Sequence, residues 1–373
     1  MRAKGLGIGR IAGIPLRIAP SWLLVFGGMS WIVADAYLPT VIEVSPTLYW
    51  VLGAATTLLF FATVLLHEMG HALVSRAQGT EVRQVTLHFF GGLAEVDSPP
   101  KRPRDELLTA LVGPALTVGI GLLFGLLFTL TRDSYPLLAA PARVMQVINI
   151  GLGLFNLLPG LPLDGGRVLR AALWAVTGSP KKATRWAARM GQWLGILIMS
   201  AGVLLVVRDQ LDVGMLAALI GLSLHQSARA AHSKASLEQM LDGRIVADLM
   251  QPHSAMLSLN DTMDRLPHEM LMGDTAGYLV GEGGRVVGLV SLRRVRRVPR
   301  DAWAHTRLEA VVLRRQEIES VSPDTPLVLA LQRMTGNNMA QLPVESNGEL
   351  EGILSRQRII TFVEMQTGAR AER

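Results

Sequence analysis

Long apolar runs separated by short basic stretches fill roughly the first 224 residues, after which charge and turn residues return at the density of a soluble protein. The runs lie at about 21–38, 48–73, 107–130, 137–158, 190–207 and 211–226. A helix needs roughly 20 apolar residues to cross a hydrocarbon core about 30 Å thick, so the pattern predicts about six transmembrane helices. The last run is short, and Pro141 and Pro159 predict interruptions of the fourth. This divides the chain into a membrane domain over 1–230, a linker over 231–243 and a soluble remainder.

Between the second and third runs, residues 81–96 (EVRQVTLHFFGGLAEV) are rich in Val, Leu, Phe and Thr around Gly91-Gly92. That composition predicts a strand or hairpin, with the glycines allowing a tight turn or a close backbone approach. The first run follows a basic tail carrying Arg2, Lys4, Arg10 and Arg17. Ala34-Asp35-Ala36 has the small-x-small form of a signal-peptide cleavage site, but the basic region is long for a signal and apolar residues continue beyond it. The run is therefore read as a retained first span.

Charge orients the helices. Lys and Arg number four in the tail, five at 74–106 and six at 159–189, against none at 39–47, two at 131–143 and Arg208 on the other side. Fifteen against three is a strong positive-inside signal, which places the N-terminus and both large loops in the cytoplasm of a multi-pass cell-membrane protein. The soluble remainder is expected on that side as well. A formal charge of +6 and a pI near 10.0 would otherwise suggest nucleic acid, but here much of the basic charge flanks apolar segments, and no direct nucleic-acid contact is expected. Cysteine is absent, which excludes disulfides and thiolate-held metals and restricts any metal site to His, Asp and Glu.

The second run ends in His67-Glu68-Met69-Gly70-His71. Residues four apart share a helix face, so both imidazoles reach one ion while Glu68 lies beside it. This is zinc-hydrolase geometry: zinc lowers the pKa of a bound water to about 7, and the carboxylate moves its proton to a leaving amine. So much polarity at the end of a lipid-spanning run is costly unless an ion or partners satisfy it. About 19 apolar residues precede His67, so the site lies some 28 Å into the membrane, toward the cytoplasmic side.

A second constellation follows the fourth run: Asn156-Leu-Leu-Pro159-Gly-Leu-Pro162-Leu-Asp164-Gly165-Gly166-Arg167. Two prolines and two glycines free the backbone there, and irregular backbone at membrane depth is tolerated only where protein or a water-filled cavity satisfies it. A cavity beside the histidines makes Asp164 the third ligand and leaves the fourth position to water. Alone, Asp-Gly-Gly would be an ordinary turn. In the third run, Val112-Gly113-Pro114 is read as a close helix-packing element, and His88 as a strand residue rather than a ligand. A strand near the metal could also present its edge to an unfolded substrate.

Taken together, H-E-x-x-H at 67–71, F-G-G at 90–92, the Gly-Pro element at 112–114, and N-x-x-P with L-D-G-G at 156–166 resemble the site-2 protease family of intramembrane zinc metalloproteases. The resemblance implies His67, His71 and Asp164 as ligands of one Zn2+, Glu68 as general base, and Asn156 as support for the site or the substrate carbonyl. Gly91 and Gly92 are implied to support the substrate. Val112 stands where Ala or Ser is usual. Family members cleave transmembrane segments of other proteins, typically after an earlier cut outside the membrane, and often release a membrane-tethered regulator of transcription.

The soluble remainder repeats itself. Val280, Gly284, Gly288 and Ser291 recur 64 residues later as Val344, Gly348, Gly352 and Ser355. Each copy reads helix, strand, Gly turn, strand, helix, and is too small to bury its sheet alone, so two are expected to pack together. This resembles a pair of α/β CBS domains, at about 244–300 and 306–366. Such pairs often bind adenine nucleotides through an Asp three residues after the Ser or Thr; here those positions are Arg294 and Arg358, which counts against a nucleotide. A homodimer through the pair is a further expectation.

The expectation as a whole is an intramembrane zinc endopeptidase acting on a single-pass membrane protein, with a regulatory CBS pair. A CBS-gated channel or transporter would spread ionisable residues over several spans, whereas here they concentrate at one point. An inactive scaffold would not need the full ligand set.

Overall fold

A computed structural model describes residues 5–88, 91–96, 99–252, 257–266, 277–282, 285–314, 319–336, 339–346 and 349–371. The chain divides into two compact units, one over residues 2–236 and one over 237–373.

Among the described residues six helical segments are long and apolar enough to cross a membrane: Ser21–Thr40, Pro46–Ala77, Pro103–Thr131, Pro136–Asn156, Pro180–Val207 and Leu211–Met240. The first comprises α1 (Ser21–Trp31) and its continuation to Thr40 in wider and tighter turns; the others are α2, α3, α4, α6 and α7. The sequence pattern located all six but differed in three details. First, α4 continues through Pro141, which forfeits only the one hydrogen bond its nitrogen would have donated to the Leu137 carbonyl. Second, a further amphipathic helix, α5 (Asp164–Thr177), starts at the expected ligand. Third, residues 231–240, expected as linker, continue α7.

Small residues let the helices approach. On α3, Thr109, Gly113, Thr117, Gly121 and Gly125 are buried at four-residue spacing, while Leu122, Leu123, Leu126 and Leu130 are exposed. A Cβ on Gly121 would stand 2.7 Å from the Ile150 side chain of α4, and one on Gly125 2.6 Å from Gln146. Between α6 and α7 the contact is backbone against backbone: a Cβ on Gly195 would meet Gly221 and His225, and one on Gly221 would meet Gly195 and Met199. Packing of this kind drives helix association in lipid, where apolar burial gives no advantage.

The hairpin expected at 81–96 is present as β3 (Val82–His88) and β4 (Gly91–Val96), but the glycines lie inside β4, with Gly91 opposite His88 and Gly92 opposite Leu87. Phe90 of the F-G-G motif lies outside the described residues. The tail adds two strands the pattern did not reveal, β1 (Leu6–Ile11) and β2 (Ile14–Ile18), which turn at Ala12-Gly13, both at positive φ. The resulting sheet runs β1-β2-β3-β4, with β2 parallel to β3 and β4 at an edge. Ile14, Leu16 and Val85 pack on Met69 and Ala72 of α2, which holds the sheet against the turn of helix that carries the histidines.

The second unit contains β5 (Gln251–Pro252), β6 (Gly277–Glu282), β7 (Arg285–Ser291), β8 (Val312–Arg314), α8 (Leu327–Gly336), β9 (Gln341–Ser346), β10 (Glu349–Ser355) and α9 (Arg356–Ala371). Its described residues form two sheets, β5-β10-β9 and β6-β7-β8. The 64-residue repeat is carried into the pairing: Leu257 bridges Val280 as Val321 bridges Val344. Gly288 and Gly352 occupy matching places, where any Cβ would run into the carbonyl of the incoming strand, Leu313 O in one case and Gln251 O in the other. The repeat glycines Gly284 and Gly348 lie outside the described residues.

Replacing Gly121 with Val should push α3 off α4 and destabilise the protein by about 1–3 kcal/mol. Gly119→Val on the same helix, where a Cβ meets nothing within 4 Å, should lose less. Thermal unfolding of the two variants in detergent measures the difference.

Candidate metal centre

His67 and His71 are on the inward face of α2, one turn apart and buried. Each ring is aimed by α3. His71 Nδ1–H donates to the Thr109 carbonyl at 2.6 Å. His67 Nδ1 lies 2.8 Å from Thr117 Oγ1, whose own hydroxyl proton goes to the Gly113 carbonyl at 3.0 Å, so the threonine oxygen accepts and the imidazole donates. With both Nδ1 atoms protonated, the neutral rings turn lone pairs inward at Nε2.

Those lone pairs meet each other and a carboxylate. The Nε2 atoms are 3.1 Å apart, and Asp164 Oδ2, at the start of α5, lies 3.1 Å from His67 Nε2 and 3.3 Å from His71 Nε2. Three acceptors so close repel unless a cation sits among them. Ligand atoms around a tetrahedral ion at ~2.0–2.1 Å stand about 3.3 Å apart, so the donor set fits zinc in both chemistry and spacing. Asp164 Oδ1 faces Arg167 at 3.6 Å. Among the described residues these three form the one His/Asp/Glu group close enough to hold a metal ion.

The structure therefore brings together three of the residues expected in the site, and it places Glu68 beside them, half-buried on the next position of α2. Gly92 of β4 lies so close to Glu68 that a Cβ there would overlap its side chain. Gly91 is its neighbour on the strand. Asn156 is the last residue of α4, half-buried, and makes no hydrogen bond to the cluster among the described residues. Thr109 and Thr117 were missed, and Gly113 was read as helix packing alone. A Cβ on Gly113 would collide with His71 Nε2 and stand 2.7 Å from His67 Nε2, so only glycine leaves room at the imidazoles. The signal was present as Thr-x-x-x-Gly-x-x-x-Thr, a four-residue stripe that puts all three on one helix face.

The family model described as Peptidase family M50 matches residues 55–137 and 134–199. A protein of Synechocystis named as a zinc metalloprotease is 32% identical across 98% of this chain and 97% of its own length. The chain belongs to peptidase family M50. The zinc metalloprotease Rip3 of Mycobacterium tuberculosis is 34% identical over 88% of this M50 peptidase and 84% of its own length. The solved site-2 protease of Methanocaldococcus jannaschii is 28% identical, covering 61% of this chain and 95% of that one with a TM-score of 0.44. In the second unit the CBS domain model matches residues 311–364. The chain is accordingly a membrane-embedded M50 metalloprotease.

Gly113→Ala, a change of one methyl group, should weaken divalent-metal binding by about tenfold or more, the scale seen when groups supporting metal ligands are disturbed. Gly119→Ala should leave it unchanged. Metal content after dialysis against a weak chelator reads both.

Proposed function

We propose that this M50 peptidase hydrolyses peptide bonds within or near transmembrane segments of membrane-protein substrates. The convergence of His67, His71 and Asp164 beside Glu68 carries the proposal. The two imidazoles and the carboxylate would hold one zinc ion. When bound there, zinc supplies Lewis acidity, making water a nucleophile near neutral pH and polarising a carbonyl.

The chain's own residues do the rest. Glu68 takes the proton from the attacking water at its carboxylate and hands it to the leaving amine. The helices around the cluster, all three ligands of which are buried, keep bulk lipid and solvent from it. A transmembrane helix hides its peptide bonds in its own hydrogen bonds, so the substrate must be unwound before it is cut. Strand β4 has a free edge in the β1-β2-β3-β4 order, and Gly92 brings that strand against Glu68. We assign this edge to pairing with the unwound substrate, with Gly91 and Gly92 giving main-chain access and Asn156 supporting the substrate carbonyl.

The charge bias of the loops supports a cytoplasmic N-terminus, active-site side and CBS unit. The substrate class is a single-pass membrane protein such as a membrane-tethered regulator, and the CBS pair is regulatory, with association of two copies through it. Arg294 and Arg358 occupy the places of the ribose carboxylates, and Arg294 Nη1 donates to the Val312 carbonyl at 2.8 Å. An adenine nucleotide would need other contacts in this pair.

Glu68→Gln should keep zinc and lower cleavage of a transmembrane substrate by about 10²–10⁴-fold, whereas Asp164→Asn should lose metal and activity together. Zinc content and gel-based cleavage on the same preparations separate the two roles, and retained hydrolysis in Glu68→Gln would refute the assignment of the base.

A further inference from the structure

Asp164 reaches the imidazoles from α5, a helix that packs on α3 and α6. An ion pair, buried at its carboxylate end, joins α5 to α3. Glu106, in the first turn of α3, is 0% exposed, and its Oε1 accepts from Arg170 Nε at 2.7 Å and from Arg170 Nη2. Among the described residues the other oxygen, Oε2, is buried without a partner, and Arg170 is the counter-charge that keeps this carboxylate tolerable inside the protein. Each end of the pair lies on a helix that supports the metal centre. Glu106 is three residues before Thr109, whose carbonyl aims His71, and Arg170 is six residues after Asp164, about 9 Å along α5.

The same turn of α3 is tied to α2. Gln78, at the C-terminal end of α2, donates from Nε2 to the Asp105 carbonyl at 2.9 Å and accepts from Thr109 Oγ1 at 3.1 Å. The start of α3 is thus bonded to the helix that carries both histidines and to the helix that carries the aspartate.

We propose that the Glu106–Arg170 ion pair is a positioning device for the metal centre, fixing α5 against α3 so that Asp164 meets His67 and His71. It rests on the reading of those three residues as zinc ligands. Removing one partner of a buried ion pair is destabilising in itself, and a purely structural pair would change the unfolding temperature without changing the affinity of the folded protein for metal. A positioning pair changes that affinity.

The test is a zinc titration of the full chain in detergent, in competition with a chelating indicator, together with the visible spectrum of the Co2+-loaded protein. Glu106→Gln and Arg170→Gln should each weaken zinc binding about 10–100-fold and change the cobalt spectrum. The double variant should recover part of the loss, because two amides can hydrogen-bond without an orphaned charge. Singly substituted proteins that fold and bind zinc as the parent does overturn the proposal, whatever their unfolding temperatures, and so do strictly additive losses in the double variant. Where Glu106→Gln does not fold, Glu106→Asp replaces it, and parental affinity there overturns the proposal too. A parent that binds no zinc, or an Asp164→Asn variant that binds as well as the parent, would instead sink the reading of the site itself.

Discussion

Three acceptor atoms facing one another inside a membrane protein form the constraint from which the rest of the first unit follows. Two neutral imidazoles and a carboxylate do not stay about 3 Å apart of their own accord. They are held there by groups behind them: a main-chain carbonyl and a threonine hydroxyl of α3 for the rings, and the start of α5 for the aspartate. Each support needs a backbone to come close, which is why α3 carries Gly113 against the ring nitrogens and β4 carries Gly92 against Glu68. The electrostatic requirement at the centre is thereby converted into a demand for small residues around it.

The outside of the same unit obeys the opposite rule. Large apolar side chains such as Leu123 and Leu130 are two-thirds or more exposed, while threonines, glycines and the ligands are buried. Facing lipid, leucine gains nothing from burial, so cohesion rests on close contact and on hydrogen bonds. The threonine at 117 serves both ends, capping a carbonyl of its own helix and orienting His67.

How much of this was legible in the chain depended on how local the signal was. The histidine pair was readable because its spacing matches one helical turn, and Asp164 because Pro159, Pro162, Gly165 and Gly166 cluster where a span ends. Helix α5 was obscured by those same breakers, two of which, Gly165 and Gly166, lie inside its first turn. The strand pair at the N-terminus was hidden because β1 is exposed along its whole length, so burial imposed no alternation on it. Thr109 and Thr117 act through one main-chain oxygen and one hydroxyl on a different helix, a pairing set by tertiary packing that composition does not encode.

In the second unit, strand β5 of the first copy pairs with β10 of the second, Gln251 opposite Ile353, while β8 of the second copy pairs with β7 of the first. The halves are laced into each other rather than stacked. An emerging chain must therefore leave Gln251 without its partner until roughly a hundred further residues have been made, a long-range closure of the kind that slows folding. Neither half has a complete sheet of its own to inherit, so a split gene or a truncation between the copies would deliver two fragments, each missing a strand that the other holds.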